Sequence, residues 1–175
     1  MTVEDRARRI RLLLFDVDGV LTDGVVIMHA DGTESKGFHI KDGAAIVWAQ
    51  RAGLTVGLLS ARASGATSQR AAQLAVRIVQ QGVKSKRVAF EQILRDSAIG
   101  EHEVAYMGDD LLDLPVLLKA GLSGAPSDAA PEVRQAVHFV SAAAGGRGAV
   151  REFIELVLRA QGRWNTVVAD YAGGS

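Results

Sequence analysis

Leu12-Leu13-Leu14-Phe15-Asp16-Val17-Asp18-Gly19-Val20-Leu21-Thr22-Asp23-Gly24 joins an unbroken apolar run to a loop that carries two carboxylates two residues apart. A run of this kind reads as a strand buried on both faces, the habit of parallel sheets. In open α/β sheets the crevice beyond the carboxyl ends of such strands is where ligands bind, so Asp16 and Asp18 fall where chemistry is done. Asp and Gly are also ordinary turn residues, and a solvated turn is the plain alternative.

A second acidic cluster, Gly108-Asp109-Asp110-Leu111-Leu112-Asp113, follows another short apolar run, Val104–Met107. Two such strand ends can face each other. They offer hard oxygen ligands of the type magnesium prefers, few enough to leave positions for water and a substrate phosphate. Leu58-Leu59-Ser60-Ala61-Arg62 is a third strand end, with a hydroxyl, and Lys86 stands ahead of a helical pattern with an ammonium. Hydroxyl and ammonium complete a phosphate cradle.

Working outward, apolar runs that read as buried strands recur at Ile10–Phe15, Leu54–Leu59, Val76–Val79, Val104–Met107 and Val137–Val140. Helical patterns lie between them: one capped by Asp42 and running through Trp48 to Arg51, then Ser64–Leu74, Arg87–Ser97, Leu111–Lys119 and Val150–Ala160. This alternation predicts an α/β, Rossmann-like three-layer sandwich with a parallel sheet. One piece departs from it. Val25–Ala30 and Thr33–Ile40 flank Asp31-Gly32, a strong short signal for a β-hairpin. The tail after Gln161 holds Trp164 and Tyr171, which read either as frayed surface residues or as anchors against another subunit.

With 175 residues, 48% of them hydrophobic, the chain suits one domain (1–175), with the hairpin at about 25–40 and the tail at about 162–175. Twenty basic and twenty acidic side chains cancel, which removes any general attraction to nucleic acid or to an anionic membrane. Zero cysteines exclude disulfides, thiolate ligands and cysteine nucleophiles and agree with a cytoplasmic location. Asp16 ends the first apolar run well short of the roughly seven to fifteen residues of a signal segment. The four histidines show no zinc spacing, and Gly145-Gly146-Arg147-Gly148 lacks the flanks of a nucleotide loop.

The order Asp-x-Asp, Ser, Lys, acidic pair resembles the haloacid dehalogenase superfamily of phosphotransferases. Within it, Asp16–Gly24, Phe38–Gly43, Gly108–Pro115 and Gly145–Glu152 resemble the 3-deoxy-D-manno-octulosonate 8-phosphate (KDO 8-phosphate) phosphatases, over about Ile10 to Gln161. That resemblance implies a capless fold with the hairpin as flap, and a homotetramer in which a neighbouring subunit helps close the site. It implies Asp16 as nucleophile, Asp18 as proton donor and acceptor, and Ser60 and Lys86 on the phosphoryl oxygens. Magnesium would be held by Asp16, Asp109 and the backbone carbonyl of Asp18, with Asp110 binding or orienting the metal shell. Asp113 is expected to hold backbone or Lys86, or simply to start a helix. Substrate contacts are implied for Asp18, Lys86, Arg62, Arg70, Arg147 and the segment His39, Ile40, Lys41, Asp42 and Gly43. A guanidinium suits the carboxylate of a phosphorylated sugar acid, which it can grip through two parallel hydrogen bonds.

Two residues depart from the family pattern: Ala61 replaces the usual glycine before the arginine, and Val47 stands where some members carry arginine. Two alternatives stand beside the first reading. One is a phosphatase of another sugar-acid phosphate such as 2-keto-3-deoxynonulosonate 9-phosphate, for which acidic residues would be expected at Arg62 and Arg147. The other is a non-catalytic oligomerisation or regulatory module, against which the intact Asp16, Asp18, Ser60, Lys86 and Asp109 speak.

Overall fold

Leu12–Phe15 forms the central strand β1, and all four of its side chains are buried. Alternation sends Leu13 and Phe15 into one hydrophobic cluster and Leu12 and Leu14 into another, on opposite faces of the sheet. Each such fully buried side chain contributes about 1.5–3 kcal/mol of transfer free energy. A strand wet on one face would forfeit half of this.

The computed structural model describes residues 1–173. In chain order the remaining elements are α1 (Val3–Ala7), the hairpin strands β2 (Ile27–Met28) and β3 (Glu34–Ser35), α2 (Ile40–Arg51), β4 (Thr55–Leu59), α3 (Gly65–Gln73), β5 (Ile78–Gln80), α4 (Lys86–Ser97), β6 (Val104–Met107), α5 (Leu114–Leu117), β7 (Leu122–Ala125), α6 (Pro131–Ala136), β8 (Phe139–Val140), α7 (Ala149–Ala160) and α8 (Trp164–Ala172). The main sheet has the order β5-β4-β1-β6-β7-β8, and every pairing in it is parallel. Helices α2 and α7 cover one face with Ile46, Phe153, Ile154 and Val157. Phe90 of α4, Val116 of α5 and Val133 of α6 cover the other.

Strand order decides where the site falls. The chain steps from β1 outward to β4 and β5, then returns to the other side of β1 for β6, β7 and β8. Adjacent crossovers therefore diverge between β1 and β6, and the crevice of such a sheet opens at their carboxyl ends. Asp16 follows β1, and its N–H donates to the carbonyl of Met107, the last residue of β6, at 3.0 Å.

Several expectations need correction. Strand β7 was not foreseen, because Leu122-Ser123-Gly124-Ala125 has one large side chain; Gly124 makes room for Phe153, whose ring would lie 2.8 Å from a Cβ at that position. The short helices α1 and α6 also went unread. The helix expected over Leu111–Lys119 is split: a single 3-10 turn, Leu111–Asp113, precedes a four-residue α5, because Asp110 and Asp113 form a capping box that closes the tighter turn. Asp42 does not cap α2. That helix starts earlier, at Ile40, and the carboxylate of Asp42 instead accepts from the N–H groups of Gly148 (3.2 Å) and Arg151 (2.8 Å) at the start of α7.

The tail folds as α8 against its own chain. Trp48 meets Trp164 and Tyr171 edge-on with ring centroids 5.8 and 5.9 Å apart, and its Nε1 donates to the Tyr171 hydroxyl at 3.1 Å. The hairpin is shorter than expected, with two residues in each strand, and turns at Gly32 (φ +84°), where the Asp31 carboxylate accepts from Thr33 N–H at 2.9 Å. Among the described residues no helix is long and apolar enough to cross a membrane.

Candidate active site

A pocket of about 190 Å³ opens at the carboxyl ends of β1, β4 and β6, lined among others by Asp16, Asp18, Ser60, Arg62, Lys86 and Asp109. The stations quoted from the sequence thus converge. Asp16 leaves β1, Ser60 leaves β4, Asp109 leaves β6, and Lys86 is the first residue of α4, whose N-cap is Ser85.

Lys86 is buried, and its Nζ lies 2.9 Å from Asp16 Oδ1 and 2.6 Å from Asp113 Oδ1. Asp113 is saturated. Its Oδ1 also accepts from the hydroxyl of the fully buried Tyr106, and its Oδ2 accepts from the N–H groups of Asp109 (3.1 Å) and Asp110 (3.2 Å). Asp113 therefore holds both backbone and Lys86, as expected. Tyr106 was missed, since a lone tyrosine inside a strand gives no sign that its hydroxyl will be needed.

Carboxylate oxygens of Asp16, Asp109 and Asp113 lie within 4.8 Å of one another. Burial, then the charge of Asp113, raises the Asp16 pKa to about 6, although Lys86 pulls the other way. Burial, then Asp16 and Asp113, raises that of Asp109 to about 8. Lys86 stays charged: burial works against its ammonium, but Asp16 and Asp113 outweigh it and its pKa rises. Without a metal Asp109 holds its proton at neutral pH; once all three carboxylates are ionised, one ammonium leaves two negative charges uncompensated, which is the charge of one divalent cation. With Asp113 spent on Lys86, Tyr106 and two amides, Asp16 and Asp109 are the side chains free to ligate it. Asp110, expected in the metal shell, is exposed and lends its carboxylate to the N–H of Leu111 (2.8 Å), so it lines the rim.

Backbone geometry holds the two acidic loops together. Gly19 has φ +86°, and a Cβ there would collide with the Asp109 carboxylate, so only glycine lets Asp109 approach this closely. Ser60 is buried, and its Oγ accepts from Arg62 N–H at 3.2 Å, which orients the loop after β4.

The expected substrate segment does not line this pocket. His39, Ile40, Lys41, Asp42, Gly43, Arg70 and Arg147 are outside this pocket's lining. Asp42 is buried beneath α7, and His39 Nδ1 is 3.6 Å from it, while Ile40 and Lys41 face solvent. The Arg70 guanidinium packs over Gly43 and the ring of Phe38, 5.9 Å from its centroid. Arg147 is exposed and 3.5 Å from Asp23. Beside it, Gly145 and Gly146 press on the backbone of Gly19 to Asp23, with Gly146 N–H donating to Val20 C=O at 2.9 Å.

Two residues of the hairpin that no motif singled out do reach the site: Lys36 Nζ is 2.7 Å from Asp18 Oδ1, and Glu34 pairs with Arg62. The signal available for them was their spacing of two on an arm expected to be extended, which puts both on one face.

Residues 58–154 match the haloacid dehalogenase-like hydrolase family. The chain is 43% identical over 158 residues to the 3-deoxy-D-manno-octulosonate 8-phosphate phosphatase KdsC of Escherichia coli K12, covering 90% of this chain and 84% of that one. It superposes on the Moraxella catarrhalis 3-deoxy-D-manno-octulosonate 8-phosphate phosphatase, solved with magnesium, phosphate and KDO, with TM-score 0.94, 31% identity and 97% of both chains covered. A cobalt-bound phosphatase of Haemophilus influenzae gives TM-score 0.87 at 36% identity, covering 90% of this chain and 92% of that one. Together with two acidic strand ends that converge on a buried lysine, these likenesses make the chain a member of the haloacid dehalogenase-like hydrolases.

Proposed function

We propose that this chain is a magnesium-dependent phosphatase that hydrolyses 3-deoxy-D-manno-octulosonate 8-phosphate to the free sugar acid and phosphate, a cytoplasmic step toward lipopolysaccharide. The observation that carries the chemistry is the juxtaposition of Asp16, Asp109, Asp113 and Lys86 at the divergence between β1 and β6. The likeness to phosphatases of that name, one of them solved with KDO, supports the substrate.

Asp16 and Asp109, with the backbone carbonyl of Asp18, would hold the magnesium. When bound, the ion supplies Lewis acidity and cancels the repulsion between an anionic nucleophile and a phosphate dianion. Lys86 engages Asp16 through Oδ1, which leaves the other oxygen to attack phosphorus. As the Asp16–phosphorus bond forms, the ester oxygen leaves and Asp18 supplies its proton. Water then gives a proton back to Asp18 and attacks phosphorus, which frees Asp16 and releases phosphate. Lys86, the Ser60 hydroxyl and nearby N–H groups bear on the equatorial oxygens, where charge is spread in the transition state.

Arg62, at the mouth of the same pocket, is the guanidinium placed to read the sugar carboxylate. Arg70, Arg147 and the outer residues His39, Ile40 and Lys41 would meet substrate bound in a neighbouring copy's pocket, while the buried Asp42 and Gly43 would support that segment from beneath without touching substrate. The hairpin supports such an assembly, since Val25, Ile27 and Met28 are all more than half exposed. A hairpin this short is marginal unless packed. A homotetramer of one-domain subunits, with the hairpin as flap, fits these observations.

The test is phosphate release over sugar phosphates with and without a carboxylate, in magnesium and in chelator. Preference for the KDO ester, lost in chelator, is expected; equal slow turnover of every ester would refute the substrate. Asp16→Asn should abolish turnover while keeping the assembly. Retained activity would refute nucleophilic attack by that side chain.

A further inference from the structure

Glu34 and Lys36 lie two residues apart in the second arm of the hairpin, so their side chains leave the same face. Ser35 between them turns the other way and meets His29, with Oγ and Nε2 2.9 Å apart. The face carrying Glu34 and Lys36 is turned toward the site. Lys36 Nζ stands 2.7 Å from Asp18 Oδ1 and 3.9 Å from Glu34 Oε1, and Glu34 Oε2 accepts from Arg62 Nη2. The result is a string of contacts, Asp18, Lys36, Glu34, Arg62, that runs from the proton-transfer carboxyl, which leaves Oδ2 free to carry its proton, to the guanidinium at the pocket mouth.

Two features separate this string from an ordinary surface ion-pair chain. The Lys36 side chain is wholly shielded from solvent, and a buried ammonium persists only where carboxylates replace its water. Arg62 spends Nη2 on Glu34 and keeps 46% of its side chain exposed, so most of the guanidinium fork stays open while one corner is pinned. The Ser64 hydroxyl, then Arg62, holds the Glu34 carboxyl below its usual range, so Glu34 remains an anion at neutral pH.

Resting on the phosphatase reading above, we propose that Glu34 and Lys36 are positioning residues that fix the separation of Arg62 from Asp18, and so select phosphate esters whose leaving group carries a carboxylate at that reach. Lys36 aims Asp18 at the ester oxygen. Glu34 holds Arg62 where a carboxylate several carbons away can take its free edge. An ester without that anion gains nothing from Arg62 and still depends on Lys36.

This division of labour is testable on the magnesium-loaded enzyme with KDO 8-phosphate and glycerol 3-phosphate. Glu34→Gln should raise KM for the sugar-acid ester about five- to tenfold with little change in kcat, by loosening the pinned guanidinium. The KM for glycerol 3-phosphate should move several-fold less. Lys36→Met should lower kcat on both esters by about tenfold with little change in KM, and Lys36→Arg should recover most of it. Thermal midpoints of all variants establish that the hairpin stays folded, and Lys36→Arg keeps the charge should Lys36→Met unfold it. Parallel changes on both esters from Glu34→Gln, or a kcat for Lys36→Met within twofold of wild type, would overturn the proposal. A wild type without preference for the sugar-acid ester would instead sink the substrate assignment, and the positioning role with it.

Discussion

Removing the Asp113 carboxylate tests how the site is held together. In Asp113→Ala, Tyr106 keeps a fully buried hydroxyl whose other neighbour, Lys86 Nζ at 3.5 Å, can only donate to it, and the N–H groups of Asp109 and Asp110 lose their acceptor. Lys86 retains Asp16 at 2.9 Å, so its charge is not stranded. An orphaned buried hydroxyl costs about 1–3 kcal/mol and a lost partner of a buried ion pair up to about 5 kcal/mol. Relief of the repulsion that Asp113 exerts on Asp16 and Asp109 offsets part of that. A net loss of about 2–4 kcal/mol remains, which lowers the thermal midpoint of a chain this size by roughly 5–15 °C. Differential scanning calorimetry with chelator present reads it directly. Adding Tyr106→Phe removes the hydroxyl that needs a partner, so the cost of Asp113→Ala in that background should fall by about 1 kcal/mol or more. A loss below about 1 kcal/mol in the single variant, or no coupling in the pair, would refute the account.

Protons and the metal compete for the same oxygens. The pKa values of Asp16 and Asp109 are raised in the folded chain above their unfolded values, so the metal-free fold binds more protons and loses stability as pH climbs from about 4 toward 8. His138 opposes this: partial desolvation, then Arg6, lowers its pKa, so its penalty on the fold fades as pH rises toward the unfolded value near 6.5. The lowered carboxyls of Asp5, Asp31, Glu34, Glu91 and Glu103 lose their contribution only in more acidic solution. The magnesium-minus-chelator difference in midpoint cancels these and should widen from pH 6 to pH 8; a flat difference would contradict the ligand assignment. Gly19→Ala should weaken magnesium binding about tenfold or more, seen by calorimetric titration, because its Cβ displaces Asp109 and its φ of +86° disfavours any side chain.

The parts of the fold legible in the sequence are those where one force acts alone. β1 and β6 are uniformly apolar and end in acids, so their extent and their role at the site follow from burial. β7 escapes the same reading because Gly124 leaves the space Phe153 needs and Ser123 bonds His138, demands that arise only once α7 and β8 have docked. At the site, Asp16, Asp18, Ser60, Lys86 and Asp109 stand in short recognisable runs that converge on one pocket. Tyr106, Glu34 and Lys36 act through partners distant in sequence, and Asp42 looked like a helix cap because its partners, Gly148 and Arg151, lie more than a hundred positions away.

That bond of Asp42 has a consequence for how the surface behaves. By clasping the first turn of α7 from within α2, one carboxylate welds the His39–Gly43 segment to the glycine loop bearing Arg147. A replacement at position 42 is felt twice, once on each side of the seam. Reshaping either patch therefore means refitting both.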